Sequence, residues 1–251
     1  MESDSIRPLN RLLLALPADD LNALARELEH NEHQQGAVLM EAGGSLEHVF
    51  FPATGVLSLV AVYPNGDLLQ AATVGREGCS GVEAVFGAAS SSFMISVPIS
   101  GSFLRMSLSA FQHSVKSMQS FRNLMLAYLQ AFTEQVMLQS ACCPHHSLKQ
   151  RLARDLLALH DRTEGDMVGV THDGLARMLN ARRGAVTRAV RELQSAGLIE
   201  SSRGEITIRD RTALTKASCE CYQLVRHRFA RHLPSTYGRE AEPRSTVTQA
   251  A

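Results

Sequence analysis

The chain has 251 residues, 27.4 kDa and 45% hydrophobic content, which supplies one large core or two modest ones and excludes a small disulfide-stapled scaffold. Five cysteines, no apolar leader and no apolar run near the ~20 residues that span a bilayer point to free thiols in a soluble cytoplasmic protein without a membrane segment. Net charge is zero, but residues 1–148 carry 7 Lys and Arg against 13 Asp and Glu, and residues 149–251 carry 18 against 12, so an acidic half precedes a basic half suited to nucleic acid.

Over 7–29, Leu9, Leu12, Leu13, Leu16, Leu21, Leu24, Ala25 and Leu28 recur at steps of three and four around a break at Pro17, which predicts two short amphipathic helices. From 36 to 106 glycine punctuates short β-rich runs: Val38-Leu39-Met40, Val49-Phe50-Phe51, 56–62, 68–74, 93–97 and 103–106. Asn65-Gly66 predicts a type I′ hairpin turn, and the spacing of the strands predicts a barrel or jelly roll. From 109 to 141 neither glycine nor proline occurs, so one long helix is expected, ended or kinked by Pro144. On it Met118, Phe121, Met125, Tyr128 and Phe132 alternate steps of three and four, the pattern of a seam that pairs with a second chain. A helical stretch over 148–160, a polar loop over 161–167, a compact helical unit and a last helix over 212–233 follow. The segment 234–251 lacks the apolar content to pack and is expected to be disordered.

The helical unit is the informative part. Thr171 suits an N-cap, Leu175, Ala176 and Leu179 bury a short first helix, and the chain turns at Asn180-Ala181. A second helix from about Arg183 to Ser195 buries Val186, Val190 and Leu193 and leaves Gly184, Thr187, Arg188 and Arg191 opposite. Gly197 stops it, and Leu198-Ile199 with Ile206-Thr207-Ile208 around Arg203-Gly204 predicts a two-stranded wing. A winged helix-turn-helix places its second helix in the major groove of DNA. The expected contact set is Thr171, Arg182, Arg183, Gly184, Thr187, Arg188, Arg191 and Arg203, with arginine able to grip guanine through two bonds and Arg191 assigned to a phosphate.

The stretch LARMLNARRGAVTRAVRELQSAGLIESSRGEITIRD resembles the C-terminal domain of the CRP/FNR superfamily of bacterial transcription regulators, and the strands and long helix before it resemble that family's effector barrel and dimerisation helix. The resemblance implies an α+β chain: a jelly-roll sensory barrel with N-terminal helices over 1–108, a dimerisation helix over 109–143, a winged helix-turn-helix over 144–233 and a tail. It further implies a homodimer on palindromic double-stranded DNA that meets RNA polymerase. Arg183 and Arg188 match the two arginines of the family's Arg-Glu-Arg reading motif, but Gly184 replaces the glutamate, so the usual operator sequence does not transfer. Gly81, Glu83, Ser91 and Ser92 stand nearest the family's cyclic-nucleotide motif. No arginine lies between Arg76 and Arg105 to meet a phosphate, so an effector other than cyclic AMP, or none, is implied.

No cofactor is expected. Only Cys79 precedes residue 142, too few thiols for an iron–sulfur cluster near the barrel, and His48 and Cys79 are isolated candidates for haem. Cys142-Cys143-Pro144-His145-His146 and Cys219-Glu220-Cys221 lack zinc-ligand spacing, and neither cysteine pair could chelate one ion from within a helix, so no metal site is expected. Cys142 and Cys143 sit where the family's hinge would lie, where a redox switch would have leverage. A cupin-type metalloenzyme is disfavoured because residues 36–106 offer only His48, and no nucleophile elbow, phosphate loop or dinucleotide fingerprint occurs.

Overall fold

Short β-rich runs broken by glycine alternate their side chains across a pleat, so each can bury one face. The computed structural model describes residues 10–234 and 236 and pairs these runs into two antiparallel sheets. One has the order β1 (Glu29–His33), β7 (Gly101–Ser107), β3 (His48–Pro52); the other has β2 (Val38–Met40), β6 (Met94–Ile99), β4 (Val56–Val62), β5 (Leu68–Val74). Phe51, Leu57, Val74, Ile95 and Phe103 fill the core of this barrel. Of the two expected N-terminal helices, the first is a single 3₁₀ turn, Leu13–Ala15, and the second is α1 (Ala18–Ala25); Leu12, Leu13, Leu16 and Leu24 are buried. Residues 1–9, and the tail at 235 and 237–251, lie outside the described residues.

The hairpin at Asn65-Gly66 forms with a different turn. Only Gly66 has positive φ, at +86°, and its N–H donates to the Tyr63 carbonyl at 2.9 Å. Pro64 is the reason: its ring fixes φ near −65° at the first central position, which a type I′ turn cannot use.

Ser107 caps α2 (Leu108–Ser117), its hydroxyl accepting from the Ala110 N–H. The single long helix expected from 109 onward breaks at Met118, whose extended backbone starts a second helix, α3 (Gln119–His145). Pro144 sits inside the last turn of α3, which ends one residue later at His145. The seam assigned to a second chain is also corrected. Phe121, Met125, Tyr128 and Phe132 are buried within this chain, and Met118 packs partly against the same core. Tyr128 donates through Oη to the Cys79 carbonyl at 2.9 Å, and a Cβ at Gly78 would lie 2.4 Å from that hydroxyl. The repeat of three and four identified an apolar stripe correctly; the barrel itself covers it.

The C-terminal unit starts with α4 (Leu148–Arg162), held by a reciprocal cap between Ser147 and Gln150. Next come β8 (Met167–Val168), α5 (His172–Met178), α6 (Arg183–Ser195), β9 (Ile199–Ser202), β10 (Glu205–Ile208), α7 (Arg211–Ala217) and α8 (Cys221–His232). The wing is therefore three-stranded, in the order β8-β10-β9. The last helix, expected unbroken over 212–233, divides at 218–220.

Several contacts tie this unit to the barrel and the long helix. Phe229 and Leu233 of the α8 end join the barrel core, and Arg228 and His232 reach Glu134 of α3 at 3.0 and 3.1 Å. Asn180, between α5 and α6, accepts from the Gln70 N–H and donates to the Gln70 carbonyl, both at 3.0 Å, on edge strand β5. Arg162 at the end of α4 enters the barrel wall, where its guanidinium meets Glu77 Oε1 at 2.7 Å and donates to Thr73 Oγ1 at 2.6 Å; the two charged side chains are 3% and 4% exposed. A Cβ at Gly75 would lie 2.3 Å from the Arg162 stem, so only glycine admits it.

Removing one partner of a buried pair strands the other charge, so Arg162→Ala is expected to cost about 3–5 kcal/mol in urea unfolding. Arg162→Met with Glu77→Gln recovers much of that loss, because neither then leaves a buried charge. A loss below 1 kcal/mol for the single change contradicts this account.

Candidate nucleic-acid interface

Apolar side chains at steps of three and four pull one face of α5 and one face of α6 inward. Leu175 and Met178 of α5 and Val186, Ala189, Val190 and Leu193 of α6 are buried together with Leu152, Leu156 and Ile206. Asn180 turns the chain between them with φ at +48°, a conformation asparagine tolerates. Gly197, at φ +73°, lets the chain leave α6.

The face left over is basic. Arg182, Arg183, Gly184, Arg188 and Arg191 are exposed along the first part of α6, and no acidic residue occupies its first turn. The helix dipole and unpaired N–H groups at that end add to the attraction for phosphate. Arg183 is 70% exposed and pairs with Asp173 at 3.2 Å; an exposed pair of this kind is worth under about 1 kcal/mol and is readily exchanged. Arg203 stands exposed at the wing tip beside Gly204, whose φ is +85°.

Two members of the expected contact set have other work. Thr171 caps α5, its hydroxyl accepting from the Gly174 N–H at 2.9 Å. Thr187 is half-buried and its hydroxyl bonds to His172 Nδ1 at 3.2 Å, while His172 Nε2 meets Ser201 Oγ at 3.2 Å. His172 thus braces α5, α6 and the wing against one another. Sequence reasoning missed it, because a single half-buried imidazole leaves no periodic trace.

In the barrel, Glu83 and Ser91 satisfy one another, while Gly81, at φ +65°, accepts from the Ala84 N–H and lies against Leu46 and Val49. Ser91 Oγ donates to Glu83 Oε1 at 2.6 Å and accepts from the Phe93 N–H at 3.2 Å; Ser92 faces outward. A cleft lies elsewhere, between the barrel and the C-terminal unit, lined in part by Thr73, Gln135, Arg154, Arg162 and Tyr222.

The cysteine and histidine groups also differ from expectation. Within 142–143 the helix does separate the thiols, burying Cys142 and exposing Cys143. Cys219 and Cys221, however, straddle the non-helical turn at 218–220, so the premise of helical divergence fails there, and both pack against Cys142. Burial, then the neighbouring Cys142, pushes the Cys219 thiol well up.

Residues 150–217 match the family model of the Crp-like helix-turn-helix domain. The fold as a whole is similar to that of solved CRP/FNR-type regulators. FixK2 from Bradyrhizobium japonicum is similar in fold at TM-score 0.66 and 15% identity, over 76% of this chain and 98% of that one. A putative cyclic nucleotide binding protein from Ruegeria pomeroyi is similar at 0.63 and 17%, over 86% and 98%. A CRP/FNR-family regulator from Thermus thermophilus is similar at 0.60 and 23%, over 76% and 98%. No curated protein matches the chain. Among the described residues, no helix is long and apolar enough to cross a membrane.

Gly184 is not required by packing, since a Cβ there would meet nothing within 4 Å and its φ is not positive. Gly184→Glu is therefore expected to fold normally and gain about 1 kcal/mol in thermal or urea unfolding, from helix propensity and a carboxylate at the helix start. A substantial destabilisation contradicts the open space described.

Proposed function

We propose that the protein is a homodimeric, sequence-specific DNA-binding regulator whose α6 helices enter successive major grooves of a palindromic operator, about 34 Å apart, from which it meets RNA polymerase. The exposed arginine face of α6, on a helix whose opposite face is fully packed, carries this reading. Arg183 and Arg188 read bases, Arg182, Arg191 and Arg203 hold phosphates, and Thr171 and Thr187 position the helix. Gly184 leaves the middle reading position without a side chain, so the operator differs from one read by a carboxylate there.

With the first stripe of α3 covered, dimerisation falls to the face beside it. Leu126 (45% exposed), Leu129, Thr133 and Met137 (66% exposed) follow one another at steps of three and four along the outside of a helix ~40 Å long. That face supports the symmetric pairing a palindrome requires.

The bond between Glu83 and Ser91, and the absence of a nearby arginine, support regulation by something other than a cyclic nucleotide. They equally support a second reading, in which the regulator binds DNA constitutively and its abundance sets its activity.

Arg183→Ala and Arg188→Ala are each expected to weaken binding to a selected operator by about 5- to 150-fold while sparing random DNA, the signature of a lost base contact worth ~1–3 kcal/mol. Arg191→Ala lowers affinity for both alike and reduces the salt slope by about 1. Fluorescence anisotropy checks both, and unaltered specificity in the first pair sinks the recognition-helix assignment. Leu126→Glu with Met137→Glu is expected to give a folded monomer in sedimentation at micromolar concentration; a persisting dimer places the interface elsewhere. Calorimetry with cyclic AMP should show no binding.

A further inference from the structure

Four side chains from separate parts of the chain converge where α3 ends. Cys142 and His146 are four residues apart on one face of the last turn and its cap; Cys219 lies in the turn between α7 and α8, and Cys221 opens α8. Cys142 Sγ is 3.6 Å from Cys219 Sγ, Cys221 Sγ is 3.8 Å from His146 Nδ1, and the four donor atoms all lie within 4.8 Å of one another. A tetrahedral zinc ion with bonds of about 2.3 Å to sulfur and 2.0–2.1 Å to nitrogen holds its donors ~3.6–3.8 Å apart. A disulfide would need about 2.05 Å. The Cys142–Cys219 and Cys221–His146 separations are each those of two ligands on one ion.

We propose that Cys142, His146, Cys219 and Cys221 bind one zinc ion, which clamps the end of the long helix to the C-terminal unit.

The surroundings are built for that ion. His146 Nε2 faces Glu220 Oε1 at 3.1 Å, which turns Nδ1 toward the thiols in the arrangement that orients a metal-bound imidazole. Arg154, largely buried, donates through Nη1 to Cys142 Sγ at 2.9 Å and is held by Asp155 at 2.7 Å. Three thiolates and a neutral imidazole leave a zinc complex with one negative charge, and the guanidinium against Cys142 offsets it. Soft sulfur and imidazole donors select zinc over magnesium or calcium, and four protein donors close the shell, as in a structural site. On binding, zinc takes three thiolates and an imidazole nitrogen, and three protons pass to water. Cys79, in the barrel core, and Cys143, exposed and receiving a bond from Arg151, stand outside the set. The ion would join the long helix to the turn between α7 and α8, so its loss would loosen that join and weaken operator binding. That last consequence rests on the DNA-binding reading above; the site itself does not.

The test is metal content of the full, untagged chain purified under reducing conditions without chelator. One zinc per chain is expected by elemental analysis, with loss in Cys142→Ser and in Cys219→Ser and retention in Cys143→Ser and Cys79→Ala. Cobalt exchanged into the wild type should give the visible bands of a tetrahedral ion with a thiolate charge-transfer band. His146→Cys, which converts three sulfur donors to four, should keep the metal and strengthen that charge-transfer band, a readout that a folding defect cannot mimic. Reduced protein that carries no zinc and takes up no cobalt overturns the proposal, as does Cys219→Ser with a full equivalent and an unchanged cobalt spectrum. Zinc bound at one per chain in a protein that binds no operator supports the site and sinks only the DNA-binding reading.

Discussion

The contact between Arg162 and Glu77 fixes how the two halves of the molecule meet. A guanidinium and a carboxylate that are both nearly dry persist when each satisfies the other, and here Thr73 accepts two further bonds from the guanidinium. The pair therefore specifies one docking geometry. Val56 and Ile99 of the barrel strands accordingly join the apolar core built around α4, and α8 returns to lay Phe229 against Tyr128. The tilt of α6 relative to the barrel follows from these contacts, since α4 packs directly on α6.

The long helix shows how one repeat can serve two partners. Its first apolar stripe closes the barrel and its second lies exposed one step around the helix. Both run at steps of three and four, and the inward one carries the larger aromatic side chains, as a core requires. An apolar periodicity states that a face will be covered without stating by what, so aromatic bulk alone could not distinguish a fold's own core from an interface.

What was legible in the sequence follows the range of the interaction. The helix-turn-helix was readable nearly residue by residue, because cap, turn, stripe and stop all act within a few positions. Four of the six β-rich runs fell within one residue of the observed strands; β6 runs two residues past its expected end and β7 starts two residues earlier. The strand β1 was missed: Glu29-His30-Asn31-Glu32-His33 alternates nothing apolar and is held by its backbone against β7. Pro64 overruled the Asn-Gly signal through one fixed angle. The cysteines were misread for a different reason. Their meeting needs α7 and α8 to separate at 218–220 and a sequence separation of 77 residues to close, neither of which local spacing encodes.

The bonds between Asn180 and Gln70 carry one more consequence. Strand β5 is the edge of its sheet, and an uncovered edge is a template for pairing with another chain. By taking both the N–H and the carbonyl of Gln70, the amide of Asn180 imitates a neighbouring strand for one residue. Leu68 and Leu69 lie exposed beside it. A barrel cut away from its C-terminal unit would lose this cover and offer a bare edge to its copies, so intact docking also serves as protection against aggregation.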